Sequence, residues 1–74
     1  MFDYIAEAKA VGELIRLRRK RLGLTQAELA DLSGVSAKFV YDLENGKASI
    51  AFDRFLLVKA ALGLRLALEV DHIG

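Results

Sequence analysis

The residues best able to do chemistry in this chain are cations crowded into one place. Arg16, Arg18, Arg19, Lys20 and Arg21 put five of the eleven lysines and arginines into six positions, although the formal net charge is only +1. On a helix such a run is either a solvated face or a set of donors for phosphate. Catalysis finds much less to work with. There is no cysteine and His72 is the one histidine, which excludes a thiol nucleophile and a Cys/His metal centre. No serine has an evident base, and no glycine-rich phosphate loop occurs. The expectation is a binding protein with no catalytic residue, no metal and no cofactor, in which His72 is solvated.

A very small fold must position these groups. Seventy-four residues make one domain, 1–74. Such a chain buries only about 60% of the surface its unfolded form exposes. Small domains usually make up the deficit with disulfides, a structural metal or a partner chain. Without cysteine, the partner chain remains. An apolar fraction of 54% and a mean hydropathy of +0.29 agree, since part of that surface can face a second subunit. No stretch approaches the roughly 20 apolar residues of a transmembrane helix. The N-terminus lacks the basic-then-apolar layout of a secretion signal, so the expected location is cytoplasmic.

Glycines supply the punctuation. Gly23, Gly34, Gly46 and Gly63 each follow a segment with helical spacing, where a left-handed residue commonly ends a helix. Val11, Leu14, Ile15, Arg18 and Leu22 share one stripe, predicting a first helix over about 8–22 that Gly12 weakens locally. Residues 1–7 either extend it or form a short strand. Thr25 and Glu28 make a capping box for a second helix over about 25–33, which buries Leu29 and Leu32 and offers Ala30 for close helix approach. Ser36 caps a third, over about 36–45, that carries Val40 and Leu43 inward and stops at Asn45-Gly46. A fourth, over about 51–62, sets Phe52, Phe55, Leu56 and Leu62 on one side. Leu57 and Val58 lie partly off that stripe, as a second apolar surface.

The period then changes. Leu64, Leu66, Leu68 and Val70 alternate with Arg65, Ala67 and Glu69, the two-residue rhythm of a strand. One strand alone leaves its backbone groups unpaired, and pairing with itself across a two-fold axis removes the difficulty. An antiparallel pair centred on Ala67 sets Arg65 opposite Glu69 of the other chain, Leu66 opposite Leu68 and Leu64 opposite Val70. Opposite charges across such a ladder are favourable by roughly 0.2–1 kcal/mol. Residues 64–70 are therefore expected to form the interface of a homodimer; the other reading is that Leu64–Val70 continues as a frayed tail.

The second and third helices have the dimensions of a helix-turn-helix, with Ala30 at the crossing, Gly34 in the turn and Leu29, Val35, Val40 and Leu43 as anchors. Gly23-Leu24-Thr25-Gln26-Ala27-Glu28-Leu29-Ala30, then Gly34-Val35-Ser36, then Leu43-Glu44-Asn45-Gly46-Lys47 resembles the Xre/Cro-type helix-turn-helix repressors over about residues 11–63. The segment Ala61-Leu62-Gly63-Leu64-Arg65-Leu66-Ala67-Leu68 is similar to the HipB-type antitoxins, whose C-terminal strand pairs between subunits. The resemblance implies a mainly α, lambda-repressor-like domain of four to five helices, closed by a C-terminal β-strand that pairs across a homodimer.

What this family does with its residues can be carried onto matching positions. The resemblance places Gln26 at phosphate and sometimes at a base, where a helix N-terminus and an amide suit the task; the other reading is a cap. It places Ala37, Lys38, Tyr41 and Asp42 on the groove-facing side of the recognition helix. Lys38 can donate to guanine, Ala37 can touch a thymine methyl, and Tyr41 can reach phosphate through its hydroxyl. Asp42 either accepts from cytosine or pairs with Lys38 four residues earlier. Phe39, where the wider family has a small polar residue, either packs or touches DNA. Asn45, Gly46 and Lys47 match a loop that grips phosphate. Ser36 is a cap whose neighbouring amides also meet phosphate. Arg19 and Glu44 match a pair that ties the first helix to the end of the third. If it is buried, loss of one partner costs about 3–5 kcal/mol.

The resemblance therefore implies a repressor of its own promoter that binds double-stranded operator DNA, and a second partner, a kinase toxin of the HipA type. Two other roles stay open: a module that mainly neutralises the toxin, and a solo Xre-type regulator without one.

Overall fold

The computed structural model describes residues 3–70. The expectations for His72 and for residues 1–2 lie outside them. Four helices follow one another: α1 (Tyr4–Arg21), α2 (Gln26–Ser33), α3 (Ala37–Glu44) and α4 (Phe52–Ala61). The first begins at Tyr4 rather than near Ala8, because the Asp3 carboxylate accepts from the free amides of Ile5 and Ala6 at 3.1 Å. Residues 4–7 thus continue the helix. Thr25 and Glu28 complete a reciprocal capping box at α2, and Ser36 Oγ accepts from the Phe39 amide at 3.0 Å to start α3. Gly34 closes α2 in the left-handed region, φ 75°, as the tight turn into α3 requires.

Helix α3 packs against both α1 and α2, and α2 against α4. Their meeting point is a core of Ile15, Leu29, Ala30, Val40, Leu43, Val58 and Leu62. Several apolar expectations are corrected. The inward stripe of α1 is Gly12, Ile15 and Arg19, so Leu14 and Leu22 are exposed. In α2 only Leu29 and Ala30 turn inward with Ser33, and Leu32 is exposed. In α4 Val58 is the buried residue while Phe52 and Leu57 are exposed. Each error has one cause: on a short helix, hydropathy marks an apolar arc wider than the contact, and the neighbouring helices choose which part is covered.

Gly12 is where α1 and α3 approach most closely. A Cβ there would meet the carbonyl oxygen of Leu43, with Glu44 O at 2.8 Å and Gly46 N at 3.0 Å. The glycine read as a weak point in a helix is the condition for seating the end of α3.

Residues 64–70 form no strand within the single chain. Among the described residues there is no other strand to pair with, so the alternating pattern has nothing to complete it. Leu64 is half-buried against the core, and Leu66 lines a shallow depression together with Tyr4, Ala8 and Val11 of α1. Beyond these, Leu68 and Val70 are 91% and 97% exposed.

Candidate nucleic-acid interface

The buried side of α3 is locked by charge as well as by packing. Arg19 Nε donates to Glu44 Oε2 at 2.6 Å and Nη2 to Oε1 at 3.0 Å. The third guanidinium nitrogen, Nη1, donates to the Leu24 carbonyl at 2.7 Å. The two side chains are 9% and 1% exposed. A planar guanidinium suits this bidentate geometry, which a point charge would not fill. Gln26 joins the group, its Nε2 donating to Glu44 Oε1 at 3.1 Å. Thr25, not Gln26, is the cap of α2.

The other side of α3 has no part in the core. Ala37, Lys38 and Tyr41 are exposed there and Asp42 is half-buried. Lys38 Nζ donates to Asp42 Oδ2 at 2.8 Å, and Lys47 Nζ stands 3.8 Å from the same oxygen. The hydrogen bond from Lys38 holds the Asp42 carboxyl below its ordinary value of 3.8; slight burial opposes this and the two ammonium charges add to it. The Lys47 amide donates to the Asp42 carbonyl at 3.0 Å, and Asn45 Nδ2 donates to the Tyr41 carbonyl at 2.8 Å. The loop after α3 is therefore folded against the helix, with Lys47 beside Lys38. Phe39 is half-buried and packs against the core, which resolves its two readings in favour of packing.

The run of five cations does not work as one surface. Arg16 pairs with Glu13. Arg18 Nε donates to the Leu62 carbonyl at 2.9 Å, closing the end of α4, and Arg19 is buried. Lys20 and Arg21 are exposed and, among the described residues, in no ion pair. What remains on the outward side of α3 is a smaller group, the exposed Ala37, Lys38, Tyr41 and Lys47 around the half-buried Asp42.

A helix-turn-helix family model matches residues 15–68. The chain belongs to the Xre-type helix-turn-helix family of DNA-binding transcriptional regulators. It is 42% identical over 53 residues to an uncharacterised HTH-type transcriptional regulator, y4mF, of Sinorhizobium fredii, covering 72% of this chain and 70% of that protein. It is also 33% identical over 60 residues to a putative HTH-type transcriptional regulatory protein of Methanothermobacter thermautotrophicus, and spans 19% of that relative's length. Among solved structures, the restriction-modification controller protein C.AhdI of Aeromonas hydrophila superposes with a TM-score of 0.76 at 30% identity, over 86% of this chain and 93% of its own. A HipA–HipB–O2–O3 complex contains a chain that superposes with a TM-score of 0.80 at 21% identity, over 97% and 96% respectively. The second likeness is one of fold. No helix among the described residues is long and apolar enough to cross a membrane.

In this helix-turn-helix unit three contacts escaped the sequence reading: Gln26 with Glu44, Arg18 with the end of α4, and Gly12 beneath α3. Only the last had a signal. Gly12, Ile15 and Arg19 are spaced i, i+3 and i+7, so a small residue stood on the same face as a core residue and the buried cation.

Proposed function

We propose that the chain is a homodimeric repressor that reads a palindromic operator and regulates its own operon, as the antitoxin of a HipBA-type toxin–antitoxin module in the cytoplasm. The observation that carries the DNA-reading part is the outward side of α3. Ala37, Lys38 and Tyr41 are exposed and Asp42 is half-buried, while Val40 and Leu43 on the other side of the helix are buried, as a helix laid in the major groove requires. Lys38 contacts guanine, Ala37 a thymine methyl, and Tyr41, Gln26, Ser36, Asn45 and Lys47 contact phosphate.

Dimerisation is supported by residues 64–70, where Leu66, Leu68 and Val70 are exposed and the backbone lacks a ladder within the chain. Two copies paired about Ala67 bury them, and half-sites then lie about one helical turn apart. The likeness in fold to HipB, in a complex that contains HipA, supports a kinase toxin as second partner. The likeness to C.AhdI at 30% identity favours a second reading, a regulator with no toxin; a kinase-like neighbouring reading frame would decide against it.

Fluorescence anisotropy with a duplex from the gene's own upstream region and a scrambled duplex, at about 0.15 M salt, tests the reading. Tight binding to the first alone, with two chains per duplex, is expected. Lys38→Ala then loses discrimination at one or two bases, whereas Gln26→Ala and Lys47→Ala weaken both duplexes alike. Equal weak binding of the wild type to both duplexes sinks the repressor reading.

A further inference from the structure

The outward side of α3 holds a carboxylate where affinity for DNA gains least from one. Asp42 Oδ2 is 2.8 Å from Lys38 Nζ and 3.8 Å from Lys47 Nζ. Their side chains are 77% and 53% exposed and that of Asp42 21%, so the lysines are free to leave and the carboxylate is not. No other acid among the described residues pairs with either lysine. Glu44, the other acid of α3, is taken by Arg19 and Gln26.

Phosphate attracts any cation whatever the base sequence. Here Lys47, 3.8 Å away, makes no hydrogen bond to Asp42, but Lys38 reaches phosphate or base only by giving up that carboxylate, which then faces the duplex without its hydrogen-bonded cation. That loss recurs on every sequence. It is recovered only where the duplex offers a donor; the adenine amino group sits beside the N7 acceptor, which repels a carboxylate, so in the major groove the cytosine amino group is the one that suits it. A restraint that acts on all DNA and is lifted on one class of site widens the gap between them, a repulsive element in the sense of specificity by exclusion.

We infer that Asp42 is a specificity-determining residue: it holds Lys38 off phosphate on nonspecific DNA and releases it where a cytosine amino group meets its carboxylate. The inference rests on the reading of α3 as the recognition helix. Its test is Asp42→Asn, which keeps shape and removes charge, with Asp42→Ser as a second variant and thermal melting as the check on folding. The probe is the labelled scrambled duplex over a salt series. The variants should bind it about tenfold more tightly at about 0.15 M salt, with a salt dependence steeper by about 0.9 in the logarithmic slope, one added phosphate contact. Unchanged or weaker binding of folded variants to the scrambled duplex overturns the inference. Gln26→Ala and Lys47→Ala locate the failure. If neither weakens binding, the face itself is misassigned and the inference falls with it; if both do, a flat response to Asp42→Asn sinks the role of Asp42 alone.

Discussion

Asp42 and Glu44 stand two residues apart on α3, and each is bonded to a cation at nearly the same distance. Lys38 lies 2.8 Å from one and Arg19 2.6 Å from the other. Their surroundings differ. Water can replace Lys38 at Asp42 as soon as the lysine leaves, so that pair is exchangeable and contributes little to the fold. Glu44 and Arg19 are enclosed, and neither has water to turn to when the other is removed. One short helix therefore carries a fixed pair on its inner side and a loose one on its outer side. What separates them is burial rather than distance.

The largest effect should come from breaking the fixed pair. Glu44→Ala leaves the Arg19 guanidinium enclosed without its carboxylate and should lower stability by about 3–5 kcal/mol in urea unfolding. Replacing both partners by apolar residues, Arg19→Met with Glu44→Leu, should recover most of that loss, because no charge is then stranded. A loss below about 1 kcal/mol for Glu44→Ala would put the inner pair on the same footing as a surface one.

Next in size is Gly12→Ala, which attacks the same inner side through the backbone. The added methyl meets the carbonyls of Leu43 and Glu44 and should cost about 1–3 kcal/mol as overpacking, despite up to about 1 kcal/mol of helix propensity gained. A stabilised variant in the same unfolding assay would show that α1 and α3 can separate without loss.

The smallest effect belongs to the outer pair. Lys38→Ala should shift the urea midpoint slightly at neutral pH. The native Asp42 carboxyl is held below its ordinary 3.8 by Lys38, so this contribution is complete well above pH 3.8 and disappears as pH falls through the depressed value. The wild-type and Lys38→Ala curves should therefore converge in acid. A difference that grows as pH falls would reverse the sign of the coupling.

How much of this was legible in the sequence follows the same division. Caps and turns are local chemistry, so the Thr25–Glu28 box, the Ser36 cap and the left-handed glycines could be read directly, and they fixed the boundaries of α2 and α3. Asp3 is as local a signal, yet it precedes a stretch with no decisive periodicity, so the sequence alone leaves the start of α1 open. Leu14, Leu32 and Phe52 were misjudged because the covered part of an apolar arc depends on the partner helix. Residues 64–70 carry a strand pattern that the single chain does not fold into a strand, since a ladder is a property of two segments. At the candidate interface, the outward side of α3 follows from the resemblance to the Xre/Cro-type repressors, not from spacing or composition. The bond between Gln26 and Glu44, which joins residues eighteen positions apart, had no counterpart in any spacing.

The separation of the two sides of α3 bears on how such a protein changes over generations. Ala37, Lys38 and Tyr41 take no share in the core, so substitutions there leave the fold close to its starting stability. Most proteins sit near a stability threshold, and changes in function often bring them closer to it. In this molecule the residues proposed to choose a DNA sequence and the residues that hold the helix in place are different sets. New binding preferences can then accumulate one substitution at a time, with every intermediate still folded.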